Sequence, residues 1–189
     1  MKPAMAVALV LLGAISCTSH RTDLSQQAPA TLHVEPPGHE VATVTRVVDG
    51  DTIEVRITAR AEGAGAGAAD VGRSYDVRLI GIDTPESVKP DSPVECFGRE
   101  ASAATEALVD GAEVLLVKDV EETDQYGRLL RYVYLGEEMV DARLVANGYA
   151  FAYTYPPNVR HAELFVSLQH EARREHRGLW APQTCAGEP

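Results

Sequence analysis

The sequence predicts an α+β fold with a mostly antiparallel sheet, and three observations predict it. Two-residue alternation of branched residues recurs in short runs through the first two thirds of the chain. Helical spacing is interspersed late, and it closes the chain. Asp49-Gly50 reads as one hairpin corner and Gly136 closes another, which suits antiparallel pairing.

The elements follow in order. Lys2 precedes an apolar run from Ala4 to Ile15, too short to span a bilayer and suited to a secretory leader. It ends in Gly13-Ala14-Ile15-Ser16-Cys17, small residues before a cysteine as in a bacterial lipobox, although Ala14 stands where an aliphatic residue is usual. Two readings stand: cleavage before Cys17 with lipidation of its thiol, or ordinary leader cleavage nearby. Both make the mature protein exported, in the cell envelope or secreted. Diacylated Cys17 would anchor it stably to a membrane. The expected divisions are a leader over 1–16, a tether rich in Ser, Thr, Gln and Pro over 17–39, a domain over 40–183 and a tail over 184–189. A domain of this size is one folding unit.

Val41 to Val48 reads as a strand, Asp49-Gly50 as its corner, and Thr52 to Ile57 as the returning strand, with Asp51 just past the corner. Ala59 to Gly72, rich in Ala and Gly, reads as a flexible loop without function. The next strand runs from Arg73 to Ile82 and ends where Thr84 meets Pro85. After a polar loop, Ser87 to Glu95, Phe97 to Val109 has helical spacing with Ala101, Ala104 and Leu108 on one face. Short strands follow at Val114–Val117 and Leu129–Leu135, separated by an acidic loop, Asp119 to Asp124, and Gly136 closes a hairpin. Met139 to Ala146 reads as a short helix capped at Gly148. Tyr149 to Tyr155 reads as extended, Pro156-Pro157-Asn158 as a turn, and Val159 to Arg177 as a helix with Leu164, Leu168 and Ala172 inward. His170-Glu171 fails as a zinc-protease motif because position 174 is arginine. The histidines of this helix therefore read as a solvated face.

The formal charge is −11, from 17 basic and 28 acidic residues, which excludes broad nucleic-acid binding by a basic face but not a local basic cleft. Three features call for one explanation: Asp51 after a corner, the run Arg78 to Glu86, and Arg128 at the opening of a strand. Two carboxylates, Asp51 and Asp83, suit a hard divalent ion and leave room for phosphate and water. Glu86 is placed to accept a proton from water. Arg78 and Arg128 can fork onto phosphate oxygens. The bland alternative is that each arginine only pairs with a neighbouring acid.

On four motifs the chain resembles the staphylococcal nuclease (thermonuclease-like) family. They are Val48-Asp49-Gly50-Asp51-Thr52, Arg78 through Glu86, Phe97-Gly98-Arg99-Glu100-Ala101, and Asp124-Gln125-Tyr126-Gly127-Arg128, within a likeness from about Val44 to Trp180. The resemblance implies an OB-type five-stranded β-barrel with about three helices. It also implies calcium-dependent hydrolysis of DNA and RNA to 3′-phosphorylated products. It places calcium on Asp51, Asp83 and the Thr84 carbonyl, and catalysis on Arg78, Glu86 and Arg128, with Glu86 either the base or a positioner of water. It places Tyr126, Tyr153 and Tyr155 against the nucleotide. Such rings either stack on bases or pack on the barrel. Gln125 replaces a phosphate-binding lysine of the family pattern, and the loop after Glu86 keeps only Lys89 as a cation, both of which point to weaker substrate binding. The rival class is a non-catalytic binding module of the same fold in the cell envelope. A monomer is expected.

Three cysteines are an odd count for an exported chain. With Cys17 lipidated, Cys96 and Cys185 remain as an even pair. In the resembled fold the last helix returns toward the domain, which makes a bridge feasible in an oxidising compartment. Two unpaired thiols are the alternative.

Overall fold

The computed structural model describes residues 38–88 and 94–188, within the compact unit Thr31–Pro189. The leader, Cys17, nearly all of the tether and Lys89 lie outside the described residues.

Among the described residues the fold is α+β: a closed five-stranded barrel with three helices. β1 (His39–Asp49) and β2 (Thr52–Ala61) pair antiparallel as far as Asp49 opposite Thr52, so Gly50 and Asp51 form the corner. Three register irregularities in this pair bend the ribbon, the usual device for curling a sheet. β3 (Ser74–Leu79) adds to β2, and β5 (Glu113–Val117) adds to β1 on the other side. β6 (Leu129–Leu135) pairs antiparallel with β5, and its start pairs parallel with β3, closing the barrel. That one parallel seam puts Arg78 opposite Thr52 on one side and Leu130 on the other.

Gly136 and Glu137 turn β6 into β7 (Glu138–Met139), so Met139 belongs to a strand and α2 begins after it, at Val140–Ala146. The expected strand from Arg73 to Ile82 is broken. β3 stops at Leu79, Gly81 turns at φ +79°, and β4 (Ile82–Asp83) pairs with β8 (Phe151–Ala152) instead. A Cβ on Gly81 would lie 2.4 Å from the ring of Phe165, so glycine admits both the turn and the close approach.

α1 (Gly98–Val109) packs below the β1–β2 corner. Thr105 is buried and its hydroxyl donates to Gly50 O at 2.6 Å, which ties the helix to the corner. α3 (Ala162–Arg174) is shorter than the expected Val159–Arg177, and its buried residues are Phe165 and Ala172, with Leu164 only half-buried. His170 and His176 are exposed, but His161 packs edge-on against Tyr132 with centroids 4.6 Å apart. A 3-10 turn (Gly178–Trp180) follows, and Leu179, Trp180 and Ala172 form a second small core with Phe97 and Phe151.

The Ala59–Gly72 stretch is not a loose loop. Its first residues extend β2, Ala69 is buried, and Gly67 and Ala68 close over an ion cluster inside the barrel mouth. There Arg131, fully buried, forks onto Glu40 at 2.7 and 3.0 Å and also meets Glu122. The loop shields this cluster, and a buried charge is tolerated only when so paired and covered.

Candidate active site

The corner, the β3–β4 break and the start of β6 meet at one end of the barrel. Asp51 accepts from the Thr84 N–H at 3.0 Å and from the Thr52 hydroxyl at 3.0 Å. Its own carbonyl accepts from Leu79 N at 2.9 Å. Gly50 permits this closeness, since a Cβ there would stand 2.7 Å from Thr84 Oγ1.

Arg78 joins the two carboxylates. Its Nη2 lies 3.0 Å from Asp51 Oδ2 and 2.8 Å from Asp83 Oδ1, while Nη1 donates to Leu79 O at 2.8 Å and Ile82 O at 2.9 Å. The β3 break at Ile80-Gly81 lets this arginine reach the carbonyl of Ile82 on the far side of the turn. Burial pushes the Asp83 carboxyl above the usual range. Arg78 opposes this, and the charges of Asp51, Glu95 and Glu86 add to it.

Arg128 is held by Asp124, whose Oδ2 accepts from Arg128 Nε at 2.7 Å and whose Oδ1 accepts from the Tyr126 and Arg128 backbone N–H groups. Gly127 at φ +81° completes the turn. Arg128 Nη1 reaches Thr52 Oγ1 at 3.4 Å, and its guanidinium lies 5.5 Å from the centre of the Tyr126 ring. Asp124, which orients Arg128, has no role assigned from the sequence. Its signal was an Asp two residues before Tyr126 in a glycine turn.

Arg78, Arg128, Gln125, Tyr126, Tyr153 and Tyr155 line one cleft of about 470 Å³. Asp51 and Asp83 join it through Arg78. The three tyrosines are 76, 50 and 66 % exposed, so their rings are not barrel packing. Tyr153 N donates to Gly81 O at 2.9 Å, tying this tyrosine to the strand break.

Glu86 stands to one side of the arginines. Its carboxylate accepts from Val88 N at 3.0 Å and meets the Asp49 carboxyl. Asp49 is raised to about 6, first by burial and also by Glu86 and Asp51. Hydrogen bonds from Ser87, at 2.5 Å, and from the Gly50 N–H pull the other way. Glu95 brackets Glu86: its carboxylate accepts from Glu86 N at 2.8 Å and its own N–H donates to Glu86 O at 2.9 Å. Cys96 is bonded to Cys185, with Cα atoms 5.9 Å apart.

The donors that could hold a metal are the carboxylates of Asp51 and Asp83 and the Thr84 carbonyl, hard oxygens of the kind calcium prefers. Asp51 and Asp83 share the one guanidinium of Arg78, a pairing of two carboxylates that fits a cation of that class. No group of three or more His, Cys, Asp or Glu residues suited to a metal occurs among the described residues, and this set contains two.

The sequence profile of the staphylococcal nuclease homologue family matches residues 76–182. The chain is similar to a thermonuclease of Staphylococcus hyicus, 38% identical over 138 residues, 73% of this chain and 74% of that protein. A thermonuclease of Staphylococcus intermedius is 40% identical over 137 residues, 72% of this chain and 74% of its own length. An SPbeta prophage-derived endonuclease of Bacillus subtilis (strain 168) is 36% identical over 141 residues, 74% of this chain and 43% of that protein.

Proposed function

This chain belongs to the staphylococcal nuclease family and is a phosphodiester hydrolase, and on that premise we propose that it cuts DNA or RNA with calcium as cofactor, leaving 3′-phosphorylated products. The observation that supports this reading best is the pairing of two arginines on one cleft wall with two carboxylates meeting on one of them.

In this reading Arg78 and Arg128 donate N–H groups to the oxygens of the scissile phosphate and stabilise the charge that grows as water attacks phosphorus. Arg78 exchanges protein acceptors for phosphate oxygens when substrate enters. Arg128, held by Asp124, keeps its orientation. Glu86 accepts the proton of the attacking water or holds that water in line. The new P–O bond forms as the bond to the 5′-oxygen breaks, so phosphate stays on the 3′ side, and the 5′-oxygen leaves as a hydroxyl by taking a proton from solvent water, to which Glu86 returns its own. Asp51, Asp83 and the Thr84 carbonyl would hold calcium, which when bound screens the phosphodiester charge. Tyr126, Tyr153 and Tyr155 offer open rings for unpaired bases.

End-group analysis of a labelled oligonucleotide tests the reaction. Products whose labelled ends shift on treatment with a 3′-phosphatase are expected, and products bearing 5′-phosphate contradict the scheme. We also propose an exported, lipid-anchored monomer, on the apolar run before Cys17. Metabolic palmitate label should vanish in Cys17→Ser, and retained label would place the anchor elsewhere.

A further inference from the structure

We infer that the Cys96–Cys185 disulfide, acting through Glu95, positions Glu86 for catalysis, so that the nuclease reaches full turnover only in its oxidised form. This rests on the proposed role of Glu86.

Glu95 holds Glu86 at both backbone groups, through its carboxylate at 2.8 Å and its N–H at 2.9 Å. Immediately beyond, Gly98 lies so close that a Cβ would stand 2.6 Å from Glu86 O. Residues 95–98 thus form a seat against which the Glu86 backbone is pressed. The seat is poorly held by its own helix: Glu95 and Cys96 are exposed, and α1 begins behind Phe97 at φ +70° with no side-chain cap.

The covalent tie comes from the other end of the chain. Cys185 lies in a tightly turned tail. Thr184 Oγ1 donates to Gly178 O and Ala181 O, both at 2.8 Å, and Gly187 N donates to Leu179 O at 2.9 Å. A Cβ on Gly187 would touch the Trp180 ring at 2.6 Å. Trp180 in turn is clamped between Arg173, 4.1 Å from its ring, and Phe151 at 5.2 Å, edge-on. Phe151 is the β8 partner of Asp83. One clasp at the chain terminus therefore reaches both halves of the site: Asp83 through Trp180 and Phe151, and Glu86 through Cys185, Cys96 and Glu95.

A dithiol reductant would convert the bridge to two thiols, taking the two electrons from the reductant, which becomes its own disulfide. The seat would then be held only by its hydrogen bonds, and small displacements of a catalytic group lower rates steeply. The Trp180–Phe151 arm toward Asp83 is non-covalent and stays in place on reduction, so the loss falls on Glu86, and hence on turnover.

The test compares oxidised and dithiothreitol-reduced wild type with Cys96→Ser/Cys185→Ser at a temperature where circular dichroism shows all three folded. Reduced wild type and the double variant are each expected to lose about tenfold in kcat with KM changed less than twofold, and the double variant to be indifferent to reductant. In an Glu86→Gln background reduction should change the residual rate less than twofold. Glu95→Ala should reproduce the loss, and Glu95→Gln, whose amide oxygen accepts the same N–H, should recover most of it. Unchanged kcat on reduction, or an equal loss in the Glu86→Gln background, overturns the proposal. An oxidised wild type that cleaves nothing, or that cleaves equally well as Glu86→Gln, instead overturns the reading of the site on which it rests.

Discussion

Arg78 and Arg128 do different work, and their surroundings say why. Arg78 sits between Asp51 and Asp83 with both terminal nitrogens on protein oxygens, whereas Arg128 is fixed by Nε to Asp124 and leans on Tyr126. Both need the planar fork, which lysine lacks. Arg78→Lys and Arg128→Lys should each lower kcat on the order of a hundredfold or more, as removal of one preorganised donor does. Wild-type-like turnover in either variant would remove that arginine from the chemistry. Gln125 lines the same cleft, so Gln125→Lys should lower KM and steepen the salt dependence of binding by about one phosphate contact. An unchanged salt slope would put position 125 off the phosphate track. At this scale the motif runs made the convergence of Asp51, Arg78, Asp83 and Arg128 legible, because a chemistry-bearing type stood at each turn or strand end. What Asp124, Asp49 and Glu95 bond to was not legible. Each acts by bonding backbone N–H groups across a turn or between distant segments, and an acidic residue in a loop carries no mark of which N–H it will meet.

The elements were legible where one face of a strand or helix is buried. β2 alternates through Ile53, Val55 and Ile57, all buried, and β1 through Ala42 and Val44. The break after Leu79 was not, since branched residues continue on either side of Gly81 and the alternation does not falter. The ring packed against the break is Phe165 of α3, 84 residues further along the chain and silent in the local pattern. Gly81→Ala should therefore be costly out of proportion to one methyl group, through a left-handed φ and a ring at 2.4 Å, roughly 2–4 kcal/mol together. Urea denaturation of the variant measures this, and a cost under about 0.5 kcal/mol, the range of ordinary surface changes, would contradict the packing described. The Ala59–Gly72 stretch misled for a related reason: its small residues reflect close packing over Arg131 and Glu40, not looseness.

The whole molecule carries net charge −11 and yet gathers two arginines on one cleft, with Asp51, Asp83 and Asp124 bonded to them. Asp141 is placed differently. It is fully buried at the start of α2, accepts from Val133 N at 2.9 Å, and is raised to about 8 by burial, against the pull of the Val133 and Asp141 N–H groups and of Arg78 on β3. Tyr132 and Tyr134 of β6 feel its charge. The native state thus keeps a proton that the unfolded chain releases near its ordinary 3.8. Stability from this group is full below that value and is lost as pH rises from about 4 to about 8. Unfolding free energies should accordingly fall less between pH 5 and pH 8 in Asp141→Asn than in wild type, and equal falls would show that Asp141 is ionised in the fold. The bridge between Cys96 and Cys185 spans 89 residues, and loop-closure entropy gives it about 4–5 kcal/mol of stabilisation.

The measurement that bears most directly on the account is cleavage of single-stranded DNA across a buffered calcium titration, for wild type beside Asp51→Ala and Asp83→Ala. The account predicts that wild-type activity rises saturably with calcium and disappears in excess chelator, while both variants stay folded and fail to respond at any calcium concentration that saturates wild type. Full wild-type activity in excess chelator, or a wild-type calcium response in either variant, would contradict it.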